Sequence, residues 1–194
     1  GGAVGLATGM IALAQGTDLG GSLRIPASFC GVVGLRPSPG LVPTEPAGFL
    51  WDTLQVTGPM ARTAEDVALM LQAICGPSPR SPLAQPTAGR DFLAAVRAGT
   101  PANLRLAYSL DIAGIGIDAE MERLCRQAAF GLDQTGATVA EIELDLSFAW
   151  PHFLALRGYR MVAEHYEDLD KIDKFGSNLA GNLRSGLQFS MESL

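Results

Sequence analysis

The sequence predicts an α/β protein. Apolar segments of strand length alternate along the chain with segments of helical periodicity. Gly and Pro clusters fall between them as turns. The 194 residues, 47% hydrophobic and 18% charged, suffice for one well-cored domain and a small second lobe, and exclude a disordered chain.

The elements follow in order. Residues 3–14 are small and apolar almost all round and read as a fully buried helix. An extended segment over 13–17 then leads into a glycine-rich loop, and Ser22 stands near the start of a helical turn that ends before Gly31. Gly31-Val32-Val33-Gly34-Leu35-Arg36-Pro37 is strand-like and closes on a turn made by Pro37, Pro39 and Gly40. Gly58-Pro59-Met60-Ala61-Arg62 leads into a helix over 64–75. Thr63 is its N-cap, and Glu65 and Asp66 complement the dipole of its first turn. Val67, Met70, Leu71 and Ile74 form its apolar stripe, and Gly76-Pro77 stops it.

Pro77, Pro79, Pro82 and Pro86 make residues 77–88 a linker between two sections. A short helix over 90–98, a strand over 104–108, a helix capped by Asp118 and running to about 134, and a strand over 139–144 continue the alternation. Helical pattern resumes over 148–169 with Pro151 in its first turn. Past Lys174 the chain weakens into Gly, Asn and Ser, which predicts no regular element. No internal repeat is visible.

Composition narrows the partners. A net charge of -6 argues against general nucleic-acid binding, because phosphate affinity comes mainly from Lys and Arg. Lys171 and Lys174 are the only lysines, and His152 and His165 the only histidines. Cys30, Cys75 and Cys125 are odd in number and set among apolar neighbours, which favours buried thiols in a reducing, cytoplasmic compartment. No Cys or His spacing suggests a metal, and no apolar run approaches the ~20 residues that span a membrane. The opening has no Met and no basic flank, so the sequence reads as a piece of something longer.

Chemistry concentrates in Gly16-Thr17-Asp18-Leu19-Gly20-Gly21-Ser22-Leu23-Arg24-Ile25-Pro26. Its glycines let the backbone turn tightly and bring N–H groups close to a ligand. A serine beside free backbone donors suits a nucleophile beside an oxyanion hole. It equally suits a plain helix N-cap, and a glycine loop ahead of a helix also cradles phosphate. The loop matches neither G-x-x-x-x-G-K-[ST] nor the dinucleotide-binding spacing. No neighbouring residue offers a base to take the Ser22 proton.

Three blocks in fixed order resolve the choice: Gly16 to Pro26, Ala27-Ser28-Phe29-Cys30-Gly31-Val32-Val33-Gly34-Leu35-Arg36-Pro37, and Gly58-Pro59-Met60-Ala61-Arg62-Thr63. Through them residues 1–75 resemble the amidase signature family of serine hydrolases. The resemblance implies a mixed sheet core flanked by helices on both faces, incomplete here. Residues 1–76 would be the signature core, 77–88 the linker, and 89–194 a variable substrate-side part truncated at its C-terminus.

The resemblance implies Ser22 as nucleophile, with the backbone N–H groups of Leu19, Gly20 and Gly21 as oxyanion hole. Thr17, Asp18 and Arg24 would support them, Asp18 buried to hold the loop and Arg24 in a structural ion pair. The family's base is a lysine acting through a second serine. Gly1-Gly2 look like the end of the block carrying that serine, so both would lie upstream. The implied activity is hydrolysis of a small-molecule carboxylic amide through an acyl-enzyme, without cofactor or metal, the fragment alone being inactive. The alternative within the family is the glutaminase-type subunit of a transfer-RNA-dependent amidotransferase. The Gly48-Phe49-Leu50-Trp51-Asp52-Thr53-Leu54 segment looks more like freestanding amidases.

The remaining candidates read as structural. Cys30 is a small core residue, and His152 and His165 belong to helix surface or core. Glu164, Glu167, Asp168 and Asp170 form a solvated face. Phe148, Trp150, Phe153, Leu154 and Tyr159 could line an acyl-binding wall, but ordinary core is the favoured reading. Lys171 and Lys174 sit among acids that keep them protonated. Apolar surface belonging under absent segments would be exposed or met by self-association, making a homo-oligomer one expected state.

Overall fold

The computed structural model describes residues 1–45, 49–101 and 103–190. The chain divides into two units: Gly1–Gly99 with Ala163–Tyr166, and Thr100–Val162 with the residues from Glu167 onward. Helices and small sheets alternate in both, as an α/β chain should.

The first unit is built on a three-stranded antiparallel sheet in the order β1 (Leu13–Asp18), β3 (Val56–Ala61), β2 (Val33–Gly34). β3 lies in the middle and is buried along its whole length. Its register against β1 runs from Leu13↔Ala61 to Asp18↔Val56 and places Gly16 opposite Gly58. A Cβ at Gly16 would stand 3.0 Å from Leu23 Cδ2, and one at Gly58 would stand 2.8 Å from Leu23 Cδ1. The two glycines therefore form a dent in the sheet that the fully buried Leu23 fills. Ala3, Leu6, Ala14 and Met60 complete that core cluster.

Helix α1 covers Gly2–Ala7 and not the whole of 3–14. Gly9, at φ 74°, turns the chain, and the Thr8 hydroxyl donates to the Val4 carbonyl at 2.9 Å, so the helix ends and β1 begins five residues on. Nor is α1 buried all round: Ala3 and Leu6 are interior, while Val4 is exposed. Helix α2 (Arg24–Cys30) follows the glycine loop. The expected strand around 31–37 shrinks to the two residues of β2. β3 was not expected as a strand, because Gly58-Pro59 is a turn signal in sequence. Here Gly58 makes room for Leu23, and the Pro59 carbonyl accepts from Leu35 N–H at 3.1 Å.

Helix α3 (Ala64–Ile74) starts on Thr63, whose hydroxyl accepts from Asp66 N–H, and buries Val67, Ala68 and Leu71. Helix α4 (Phe92–Arg97) packs on it. The Pro-rich stretch between them is tied down: Gln85 donates from its backbone to the Gly40 carbonyl at 2.8 Å and from its side chain to the Pro39 carbonyl at 2.7 Å.

In the second unit β4 (Arg105–Tyr108) and β5 (Thr138–Glu141) pair in parallel, joined through α5 (Ala119–Gly131) and a 3-10 turn over Leu132–Thr135. Asp118 caps α5 by accepting from Glu120 and Met121 N–H. No residue of α5 is buried, so Cys125 is exposed; Cys30 and Cys75 are half-buried, and all three thiols are free. Helix α6 (Ala149–Glu164) leads through a 3-10 segment over Tyr166–Lys174 into α7 (Ser177–Gly186). α7 was not expected, since Gly, Asn and Ser are poor helix formers. It forms through close packing: a Cβ at Gly186 would lie 2.6 Å from the Gly158 carbonyl oxygen on α6, and Leu183 is fully buried. The aromatic residues expected as core are largely outside it. Phe148, Trp150 and Tyr159 are exposed, Trp150 stacking on Phe153 at 5.7 Å, because α6 buries its small residues Ala155 and Gly158 instead.

The Leu23 dent yields a paired prediction. A methyl at Gly58 would also meet the Leu35 carbonyl oxygen at 2.4 Å, a backbone atom that cannot swing away. Gly58→Ala is expected to destabilise by about 2–3 kcal/mol, lowering Tm by roughly 5–10 °C. Gly131→Ala, at a helical position with open space beyond it, is expected to gain about 0.5–1 kcal/mol. Thermal denaturation of both variants checks this, and equal effects would show that the dent is not filled as described.

Candidate active site

β1 ends on Asp18, and the chain then turns through Leu19, Gly20 and Gly21 into Ser22 and α2. Gly21 sits at φ 116°, a conformation open to glycine, and a Cβ there would stand 2.5 Å from Ile25 Cδ1. Burial alternates through the turn: Gly21 is buried, Ser22 exposed, Leu23 buried. Leu23 is keyed into the sheet, so the serine immediately before it is held outward.

Asp18 organises the turn. Its side chain has no exposed surface. Oδ1 accepts from Gly21 N–H at 2.8 Å, and Oδ2 from Leu23 N–H at 3.2 Å and Arg24 N–H at 3.5 Å. These are N–H groups at the start of α2, which Leu23 at the N-cap position does not satisfy with its own side chain. Arg24 grips the same carboxylate with Nε at 2.9 Å from Oδ2 and Nη2 at 3.0 Å from Oδ1, a two-pronged contact. Arg36 adds Nη1, which donates to the Asp18 carbonyl oxygen and lies 3.2 Å from Oδ1. Burial pushes the Asp18 carboxyl pKa up, but the Arg24 and backbone hydrogen bonds outweigh it and hold the pKa well below the ordinary 3.8.

Of the expected oxyanion donors, the structure separates one from the others. Gly21 N–H is engaged by Asp18, because the tight turn brings that amide onto the carboxylate. Among the described residues, the Leu19 and Gly20 N–H groups and the Ser22 hydroxyl make no hydrogen bond. Thr17 lies opposite Thr57 in the sheet, with its side chain outside the Asp18 network. The residue that the sequence reading passed over is Arg36. Its place in the Gly34-Leu35-Arg36-Pro37 block was the available signal, but nothing local in sequence says that it reaches back to Asp18.

No base meets Ser22 among the described residues of its unit. Lys171 lies in the other unit, 2.6 Å from Asp168, and that hydrogen bond raises its pKa and keeps it protonated. A cleft of about 820 Å³ opens past the carboxyl ends of β4 and β5. Three of its four acids have structural partners: Asp111 accepts from the N–H groups of Ala113, Gly114 and Gly116, Glu141 pairs with Arg126, and Asp145 accepts from Ser147 N–H. No group of His, Cys, Asp and Glu among the described residues could hold a metal. No helix among them is long and apolar enough to cross a membrane.

The Asp18 cluster carries a pH prediction. Between its depressed folded pKa and the unfolded value near 3.8, the unfolded state binds more protons, so stability rises with pH. The contribution is complete above about pH 4–5 and is lost as pH falls through the folded pKa. Asp18→Asn is expected to cost about 3 kcal/mol at neutral pH, through unpaired guanidiniums and lost N–H acceptors. It should also flatten the loss of stability below pH 4, which urea unfolding at stepped pH would reveal.

The family model described as Amidase matches residues 1–189. The chain is 35% identical over 181 residues to a glutamyl-tRNA(Gln) amidotransferase subunit from Chromohalobacter salexigens, covering 91% of this chain and 36% of that protein. The structure superposes on a bacterial aryl acylamidase of the amidase signature family with a TM-score of 0.80 and 25% identity, covering 99% of this chain and 42% of that one. It superposes on 6-aminohexanoate cyclic dimer hydrolase with a TM-score of 0.83 and 25% identity, covering 98% and 42%. The chain thus spans about a third of the length of the curated relatives it matches. A match over nearly all its residues, with the glycine turn folded around a buried aspartate, makes this chain a member of the amidase family.

Proposed function

We propose that this chain supplies the nucleophile and the oxyanion donors of an amidase that cleaves a small-molecule carboxylic amide. The observation that carries the reading is the exposed Ser22 at the head of a clamped turn whose Leu19 and Gly20 N–H groups have no internal acceptor among the described residues. In the reaction, Ser22 Oγ attacks the amide carbonyl and its proton passes to a base. The carbonyl oxygen takes up the negative charge opposite Leu19 and Gly20 N–H. The C–N bond breaks, the amine or ammonia leaves with a proton, and water releases the acid from the acyl-serine. Asp18, Arg24 and Arg36 hold the turn and take no part in proton transfer. No cofactor or metal enters.

On this reading the base is a lysine acting through a second serine, as in the family, and no described residue of Ser22's own unit is hydrogen-bonded to the Ser22 hydroxyl. The chain alone is therefore expected not to turn over amides. The domain reading belongs to the same proposal: residues 1–76 as signature core, 77–88 as linker, 89–194 as the variable part. The three free thiols support a reducing, cytoplasmic location.

A second reading has its own support. The 35% identical relative is named as part of an amidotransferase, whereas the structurally similar hydrolases are 25% identical. On that reading the substrate is glutamine and the product ammonia is passed on. The segment thought to distinguish the two begins at Gly48, outside the described residues; its Trp51 is exposed on a loop. Glutamine turnover dependent on added partner proteins and transfer RNA would select this alternative. An anion-binding module has less support, because the Asp18 carboxylate already occupies the N–H groups a phosphate would need.

A fluorophosphonate separates nucleophile from base. Alkaline solution supplies the missing acceptor, so labelling of Ser22 is expected to rise with pH, to vanish in Ser22→Ala, and to occur without aryl-amide turnover. Mass spectrometry of the labelled peptide is the measurement. Label spread evenly over other serines would sink the nucleophile assignment, and Ser22-dependent amide turnover would sink the claim that the base lies elsewhere.

A further inference from the structure

The β1–β3 ladder ends at the pair Asp18↔Val56, and Arg36 stands just past that end. Its Nη1 donates to the Asp18 carbonyl, and its Nη2 donates to the Leu54 carbonyl at 2.9 Å. Leu54 belongs to a turn closed by Asp52, whose Oδ1 accepts from Leu54 N–H at 2.8 Å and Gln55 N–H at 3.1 Å. One guanidinium therefore joins the glycine turn to the turn that follows Trp51.

The Asp18 carbonyl has a further property. It shares one planar peptide group with Leu19 N–H, and in a trans peptide the two point in opposite directions. A group that fixes the carbonyl fixes the N–H as well. A cation on the oxygen also draws charge out of the amide and strengthens its N–H as a donor. Gly20 N–H belongs to the next peptide, whose Leu19 carbonyl does not touch Arg36.

We infer that Arg36 is a positioning residue for catalysis: by holding the Asp18 carbonyl it aims and polarises the Leu19 N–H, and by holding Leu54 it ties the 52–55 turn to the end of β1. The catalytic half of this inference rests on the proposed role of Leu19 as an oxyanion donor; the structural half does not. Lysine is only a partial substitute, since its single ammonium lacks the planar fork that reaches two carbonyls and a carboxylate.

Two measurements on the full chain test it. The first is the amide resonance of Leu19 in Arg36→Gln and Arg36→Lys, read against Gly20 and against Arg97→Gln. Arg97 is an exposed arginine paired with Glu65 in the same unit. The Leu19 amide proton is expected to move upfield in Arg36→Gln, less in Arg36→Lys and not in Arg97→Gln, with Gly20 moving less than Leu19. The second is Ser22 labelling by a fluorophosphonate at fixed alkaline pH, expected to slow about tenfold in Arg36→Gln and to recover in part in Arg36→Lys. A folded Arg36→Gln with an unchanged Leu19 resonance overturns the proposal, and so does a moved resonance with unchanged labelling. If Ser22 is unreactive even in the parent chain, the proposed function fails, and the Leu19 resonance alone decides whether Arg36 holds that peptide. If Arg36→Gln does not fold, the same readings on Arg36→Lys decide.

Discussion

A carboxylate with no exposed surface sits at the end of β1, and the local structure depends on how it is satisfied. An unpaired buried carboxylate would be prohibitively costly or would take up a proton. Asp18 instead gathers the first N–H groups of α2, two arginines and the Gly21 amide. Each of those partners comes from a different place: the loop, the helix start, the helix itself, and the strand-like segment after it. Satisfying one charge thus fixes the angle between β1 and α2, and the intervening Leu19-Gly20-Gly21-Ser22 turn has little freedom left.

Apolar packing works from the other side. Leu23 is buried in a dent formed by Gly16 and Gly58 across the sheet. With Gly21 held to Asp18 and Leu23 held in the sheet, Ser22 is pinned by both neighbours and still faces solvent. On the proposed function, a nucleophile held in this way relies on strands and a helix in place of a mobile loop, which is what productive geometry demands. The face of α2 continuing from Ser22 carries Ile25 and Phe29, both exposed. At spacings of three and seven residues these lie on the serine's side of the helix.

How much of this was legible in sequence depended on the range of the interaction. The glycine turn within 16–26 and the helix beginning at Thr63 were readable because their signals are local: glycines at a turn, a hydroxyl at an N-cap. The central strand β3 was hidden, because Gly58-Pro59 looks like a turn and becomes strand only when Leu23 and β1 are in place. α7 was hidden for a related reason, its glycines being poor helix formers that become favourable only against Gly158. The aromatic residues of α6 misled in the opposite direction, since large apolar side chains suggest a core while the helix buries its small ones. Arg36 was legible as part of a block and illegible as a partner of Asp18, eighteen residues away.

On the proposed function, the charge balance under the glycine turn suits a transient negative charge. Two guanidiniums face one carboxylate, so the cluster carries one net positive charge. Its strongest donors point inward at Asp18, which leaves a phosphate or carboxylate in solution little to displace them with. Outward, the turn offers neutral peptide N–H groups, backed by that residual positive charge. On the proposed function, a negative charge that appears only when a carbonyl becomes tetrahedral would meet donors already oriented by the clamped turn. On that reading the buried aspartate, by engaging the Gly21 and Leu23 N–H groups, leaves those of Leu19 and Gly20 to the substrate.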